Sequence, residues 1–94
     1  MRKIEQEMLQ AIAFHQSWKQ GNTEVVVNED KTKASIYLHG NHIATKVYGQ
    51  EGVSTNLQTL RRYPSNTTKS RLRALGVDVC HKKGELLLNG EKLL

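Results

Sequence analysis

Residues 37–48, "YLHGNHIATKVY", constrain the fold more than any other part of this chain. Two β-rich runs flank a Gly-Asn pair, and glycine placed first in a two-residue connection is the chemistry of a type II′ hairpin turn. A Gly40-Asn41 turn pairs His39 with His42 and Leu38 with Ile43. "TEVVVN" and "KASIYL", separated by the polar "EDKT", add a second hairpin just upstream. Val25, Val27, Ile36, Leu38, Ile43 and Val47 then supply the buried face. "VSTNLQTL" is a weaker candidate for a fourth strand, with Val53, Leu57 and Leu60 as its apolar positions.

A sheet with one apolar face needs a cover, and the N-terminus offers one. In residues 2–19, Ile4, Met8, Ala11, Ile12, His15 and Trp18 form one stripe at helical spacing. Gly21 and Asn22 supply the stop, and Trp18 reads as a core anchor. Further on, "NTTKSRLRALG" (residues 66–76) reads as a short helix. Asn66 or Thr67 serves as N-cap, Leu72 and Leu75 face inward, and Gly76 is the left-handed stop. Pro64 disfavours helix at Tyr63. "VDVCHKKGELLLNGEKLL" closes the chain as a hairpin turning at Lys82-Lys83-Gly84. The expected fold is α+β: an N-terminal helix on a three- to four-stranded, mainly antiparallel sheet, a short basic helix, and a C-terminal β-hairpin. At 94 residues, one domain over 1–94 is expected.

The charge is uneven. Residues 61–83 hold seven basic side chains against Asp78 alone, a net +6. The remaining residues hold seven basic and eight acidic ones, a net −1. Such asymmetry points to a polyanionic or acidic partner for that segment. At 100° per residue, Lys69, Ser70 and Arg73 are read as the open face of the helix, with Arg71 at its flank. Arg61 and Arg62 approach from one side and the Lys82-Lys83 turn from the other. A winged arrangement would need a helix before residue 66, and none is expected from the sequence. Phosphate-dominated binding therefore fits better than base reading.

Other chemistries find little support. His39 and His42 flank a turn, Cys80 and His81 point to opposite faces of a strand, and neither pair has zinc-site spacing. No catalytic residue, metal site or cofactor is expected, and an enzyme would need a cleft joining His39, His42 and His81. The single cysteine fits a reducing compartment. No apolar run reaches membrane-spanning length, and the N-terminus is charged where a signal peptide is apolar. A cytoplasmic protein is expected.

"GNTEVVV", "YLHGNHIATKVY" and "YPSNTTKSRLRALGVDVCHKKGELLLNG" together resemble a group of small accessory proteins encoded by tailed bacteriophages. The shared pattern is a G-N-T-x-V strand, an L-H-G-N-x-I-A hairpin and T-T-K-S-R-L-N-A-L before a final hairpin. This chain has Arg73 where the pattern has Asn, and Tyr63 where it has Trp. The resemblance implies phage origin and an accessory role in the host cytoplasm, and it supplies no catalytic residue. Two partners follow: nucleic acid held without sequence preference through Arg61, Arg62, Lys69, Ser70, Arg71, Arg73, Lys82 and Lys83, or an acidic surface of a host transcription, replication or defence protein held by the same residues. The oligomeric state is open, a homodimer included.

Overall fold

The structure, a computed structural model, describes residues 2–92. Helix α1 (Lys3–Ala13) is followed by five strands, β1 (Trp18–Gln20), β2 (Thr23–Val27), β3 (Lys33–Leu38), β4 (Asn41–Val47) and β5 (Ser54–Thr55). They form one antiparallel sheet in the order β1-β2-β3-β4-β5. The first helix is shorter than its apolar stripe. His15 takes a left-handed conformation (φ 54°), with the Gln16 amide donating to Ala11 O and the His15 amide to Ile12 O. This pair of bonds is a Schellman stop, and histidine tolerates the left-handed region better than most residues. Trp18 is therefore the first residue of β1, opposite Val25, and lies half-buried at the sheet edge rather than on a helix.

The central hairpin forms one residue earlier than its Gly-Asn pair suggests. Leu38 pairs with Asn41, and the two turn residues are His39 (φ 52°) and Gly40 (φ 79°), both left-handed. Two positive φ angles make this a type I′ turn, whose twist matches the strands. A bulge follows, because Ile36 pairs with Ala44 while Tyr37 pairs with His42. The extra residue is Ile43, so Ile43 and Ala44 are consecutive and both buried. The same bulge changes the parity of β4, so Val47 pairs with Lys33 and stays half-buried instead of joining the core. A Cβ at Gly40 would meet no atom within 4 Å, so the cost of substitution there is conformational. Gly40→Val should lower stability by more than about 1 kcal/mol in urea unfolding. Unchanged stability would place the turn in another conformation.

Where a fourth strand was expected, only Ser54–Thr55 is strand and the chain then enters helix α2 (Leu57–Arg62). Asn56 explains the switch: its Oδ1 accepts the Thr59 amide at 3.1 Å as an N-cap, and Leu60 turns inward. Helix α3 (Asn66–Ala74) starts after Tyr63-Pro64-Ser65. Its cap is Ser65, one residue before the expected positions, accepting the Thr68 amide at 3.1 Å. Gly76 ends it at φ 92° as expected. The tail is a second antiparallel sheet of β6 (Val79–Lys82), β7 (Glu85–Leu88) and β8 (Glu91–Lys92), turning at Lys83-Gly84. Leu93 and Leu94, read as the end of the hairpin, lie outside the described residues.

The chain is thus α+β, with one core cluster shared by its parts. Met8, Ala11 and Ile12 of α1 meet Val25, Ile36 and Leu38 of the large sheet, Leu60 of α2, Leu72 and Leu75 from α3, and Val79 of β6, with Leu86 and Leu88 packed against them.

Candidate nucleic-acid interface

Two of the basic residues on α3 point into the protein. Arg71 is 3% exposed and Lys69 is 6% exposed. Burying a guanidinium is costly unless every donor finds a partner. Arg71 Nη1 donates to Glu5 Oε2 at 2.8 Å, Nε to Thr23 Oγ1 at 3.0 Å, and Nη2 to Asn22 Oδ1 at 3.4 Å. Ser70 Oγ donates to the same Glu5 oxygen at 2.5 Å. Burial alone pushes the Glu5 carboxyl up, but the hydrogen bonds from Ser70 and Arg71, aided by the guanidinium charge, hold it below the ordinary glutamate value. Arg71 and Ser70 thus join α3 with α1 and the β1–β2 turn, and Arg71, at 3% exposed, presents no free face to a phosphate.

Helical spacing accounts for Lys69. It lies three residues before Leu72, about 60° away around the helix, and so beside the core face rather than opposite it. Its ammonium donates to His81 Nδ1 on β6 at 2.6 Å. This bond leaves the His81 ring proton on Nε2. Among the described residues the ion pairs are Arg71–Glu5 and Lys92–Glu85, so Lys69 has no carboxylate partner there.

His81 in turn lines a groove of about 340 Å³ with Arg61, Pro64, Gly84, Glu85, Leu86 and Lys92. This trough runs between the last turn of α2 and the β6–β7 hairpin. Arg61, Arg62, Lys82 and Lys83 are all exposed, the first pair on α2 and the second beside the Lys83-Gly84 tip. Arg73 is exposed too, but its Nε donates to Val79 O at 2.8 Å, and it lines a separate groove with Glu5, Ser70 and Ala74. Of the eight predicted residues, Arg61 lines the trough, Arg62, Lys82 and Lys83 are exposed on the two elements that bound it, Arg73 and the half-buried Ser70 line the separate groove, and Lys69 and Arg71 are buried. Lys92 and His81 were not among the predicted residues. Lys92 carries no local signal, because the third strand of the small sheet brings it there.

The helix missing from the sequence reading is present. Helix α2, a three-residue connection, α3 and a basic-tipped hairpin follow one another in winged-helix order. Helix α3 itself packs against α1, β4 and β6, and Asn66 and Arg73 are its exposed residues, so little of it could enter a groove of DNA.

Comparison with families of known proteins adds one finding: a family model described as Kyanoviridae Gp96 protein matches residues 1–93. The chain belongs to this family. It is a small phage protein, and the match takes in α1 as well as the stretch from Gly21 onward that carries the resemblance. Neither the curated proteins nor the solved structures gave a match.

The three histidines of the enzyme reading have different surroundings in this Gp96-family chain. His39 sits on the hairpin turn. His42 Nδ1 accepts from Asn56 Nδ2 at 3.0 Å and its Nε2 donates to Thr45 at 2.8 Å, so His42 supports the residue that caps α2. His81 lines the trough, while His39 lines the groove between the β3–β4 turn and the α2–α3 connection. No helix among the described residues is long and apolar enough to cross a membrane.

Proposed function

We propose that this phage protein is an accessory factor that binds nucleic acid in the host cytoplasm, mainly through phosphates, along the trough between α2 and the β6–β7 hairpin. The single observation that carries the reading is Arg61 on the wall of a groove whose other side is the hairpin with the exposed Lys82-Lys83 tip. Lys92, also on the groove, is paired with Glu85 at 2.9 Å, and the buried Lys69 has no carboxylate partner among the described residues. A concentration of positive charge in a concave surface attracts polyanions and releases their counterions on binding. Arg61, Arg62, Lys82 and Lys83 contact phosphates in this reading, and Lys69 acts through His81. The protein acts as a binder, with no reaction of its own.

Arg61→Ala with Lys82→Ala tests this directly. Both side chains are exposed, so the melting temperature should stay nearly constant. Nucleic-acid affinity should fall, and the slope of log affinity against log salt should become shallower by about one to two units. A wild-type protein without measurable affinity in low salt would overturn the proposal. The exposed Leu57 and Tyr63 beside the same charges favour a second reading, a modulator of a host protein with an acidic surface. Host proteins that remain bound after nuclease treatment of a pull-down would put that reading first.

A further inference from the structure

Resting on that reading, we propose that the nucleic acid is taken as a single strand, with an unpaired base seated in the apolar groove that adjoins the basic trough. This groove has a volume of about 720 Å³ and lies between the β3–β4 turn and the α2–α3 connection. Leu38, Ile43, Tyr63 and Pro64 supply its apolar wall, and side chains such as Asn41 and Thr67 add polar groups at the margin. A concave, mostly apolar seat with a few polar groups is what a planar heterocycle requires. Tyr63 is 44% exposed, and the Arg62 guanidinium lies 5.7 Å from its ring centroid. Aromatic rings bordered by arginine are the usual stacking platform for unpaired bases.

The two grooves are joined. Pro64 lines both, and Arg61, three residues earlier, stands on the trough side. Three residues span at most about 11 Å, so the base seat and the first phosphate contact serve neighbouring nucleotides of one strand. A duplex offers this surface sugar, phosphate and base edges but no base face, because its bases are stacked and paired inside. It could neutralise the trough while leaving the apolar groove wet. A single strand can fill both. The seat is also preformed: the His39 amide donates to Asn22 O at 2.8 Å, and Ser65 caps α3, so both walls are hydrogen-bonded before any ligand arrives. A second copy of this chain docked symmetrically is a poor occupant, since it would bring Arg61 and Arg62 against their own counterparts.

Fluorescence anisotropy with a labelled twelve-residue oligothymidylate and a twelve-base-pair duplex in low salt provides the test. The single strand should bind about tenfold more tightly or better. Tyr63→Ala should remove most of that advantage while leaving duplex affinity, the salt slope and the melting temperature unchanged, and Tyr63→Phe should retain it. Equal affinity for the two ligands in the wild type, or a Tyr63→Ala variant that keeps its preference, would reject the base seat while leaving phosphate binding in place. Absence of binding to both ligands would remove the phosphate reading, and the seat with it. Tighter binding of an acidic, leucine-containing dodecapeptide than of the oligothymidylate would assign the groove to a protein and overturn the seat.

Discussion

Arg71→Ala should destabilise the protein by roughly 3–5 kcal/mol in urea unfolding, a large share of the 5–15 kcal/mol that holds a typical domain. Removing the guanidinium strips Thr23 Oγ1, Asn22 Oδ1 and Glu5 Oε2 of a donor at once. Glu5 is the costly one, because its carboxylate stays buried with the Ser70 hydroxyl as its remaining side-chain donor. Arg71→Lys should recover only part of the loss, since one ammonium cannot reproduce the planar fork that reaches three acceptors. The double variant Glu5→Leu/Arg71→Met should lose less than Arg71→Ala alone, because the penalty comes mainly from the orphaned charge. An Arg71→Ala protein within about 1 kcal/mol of wild type would show that water reaches the site and replaces the guanidinium.

The same pair fixes a pH dependence. Glu5 titrates below its ordinary value in the folded protein, so its contribution is complete above the ordinary glutamate pKa of about 4.3 and is lost as the pH falls through the lowered folded value. In Arg71→Ala, the Ser70 hydrogen bond still opposes the upward push of burial but the hydrogen bond and charge of the guanidinium are gone, and a protonated Glu5 is tolerated more easily than a charged one. The gap in stability between wild type and Arg71→Ala should therefore narrow as the pH falls from 7 toward 4. A gap that widens would assign the lowered carboxyl to something other than Arg71.

These buried charges mark where the sequence stops being readable. The hairpins follow from strand alternation and turn residues within a dozen positions, and so the α+β class was legible. Asn56 was also a local signal, an N-cap followed by Leu57 and Leu60 at helical spacing, but the β-rich "VST" ahead of it obscured the helix it starts. The fate of Arg71 depends on Glu5, 66 residues away, and no local pattern shows that pairing. A hint was available nonetheless. Glu5 lies three before Met8 and seven before Ile12, on the apolar stripe of α1, and a carboxylate placed there implies a buried cation elsewhere. Counting all seven basic residues of 61–83 as surface charge missed this. Arg61, Lys82 and Lys83 do stay exposed, because they sit where short elements end, with too few neighbours to bury them.

Leu72→Ala should have the second-largest effect, roughly 2–5 kcal/mol, and should lower the melting temperature by about 8 °C or more. Leu72 is 0% exposed and belongs to the cluster that also holds Met8, Leu60 and Val79. The cavity left by truncation cannot collapse easily. Helix α3 is pinned at its start by Ser65, at its end by the Val77 amide donating to Leu72 O at 2.9 Å, and on its flank by the Arg71–Glu5 pair. Trp18→Ala provides the comparison. An indole on a helical stripe would be the natural anchor of so small a core, yet Trp18 is half-buried on the three-residue edge strand β1, where solvent can follow the truncated side chain inward. Its loss should therefore cost less than that of the smaller Leu72. If Trp18→Ala unfolds at lower urea than Leu72→Ala, the centre of the core lies under β1 and not under α3, and the rigidity ascribed here to α3 beneath the trough would have to come from the sheet instead.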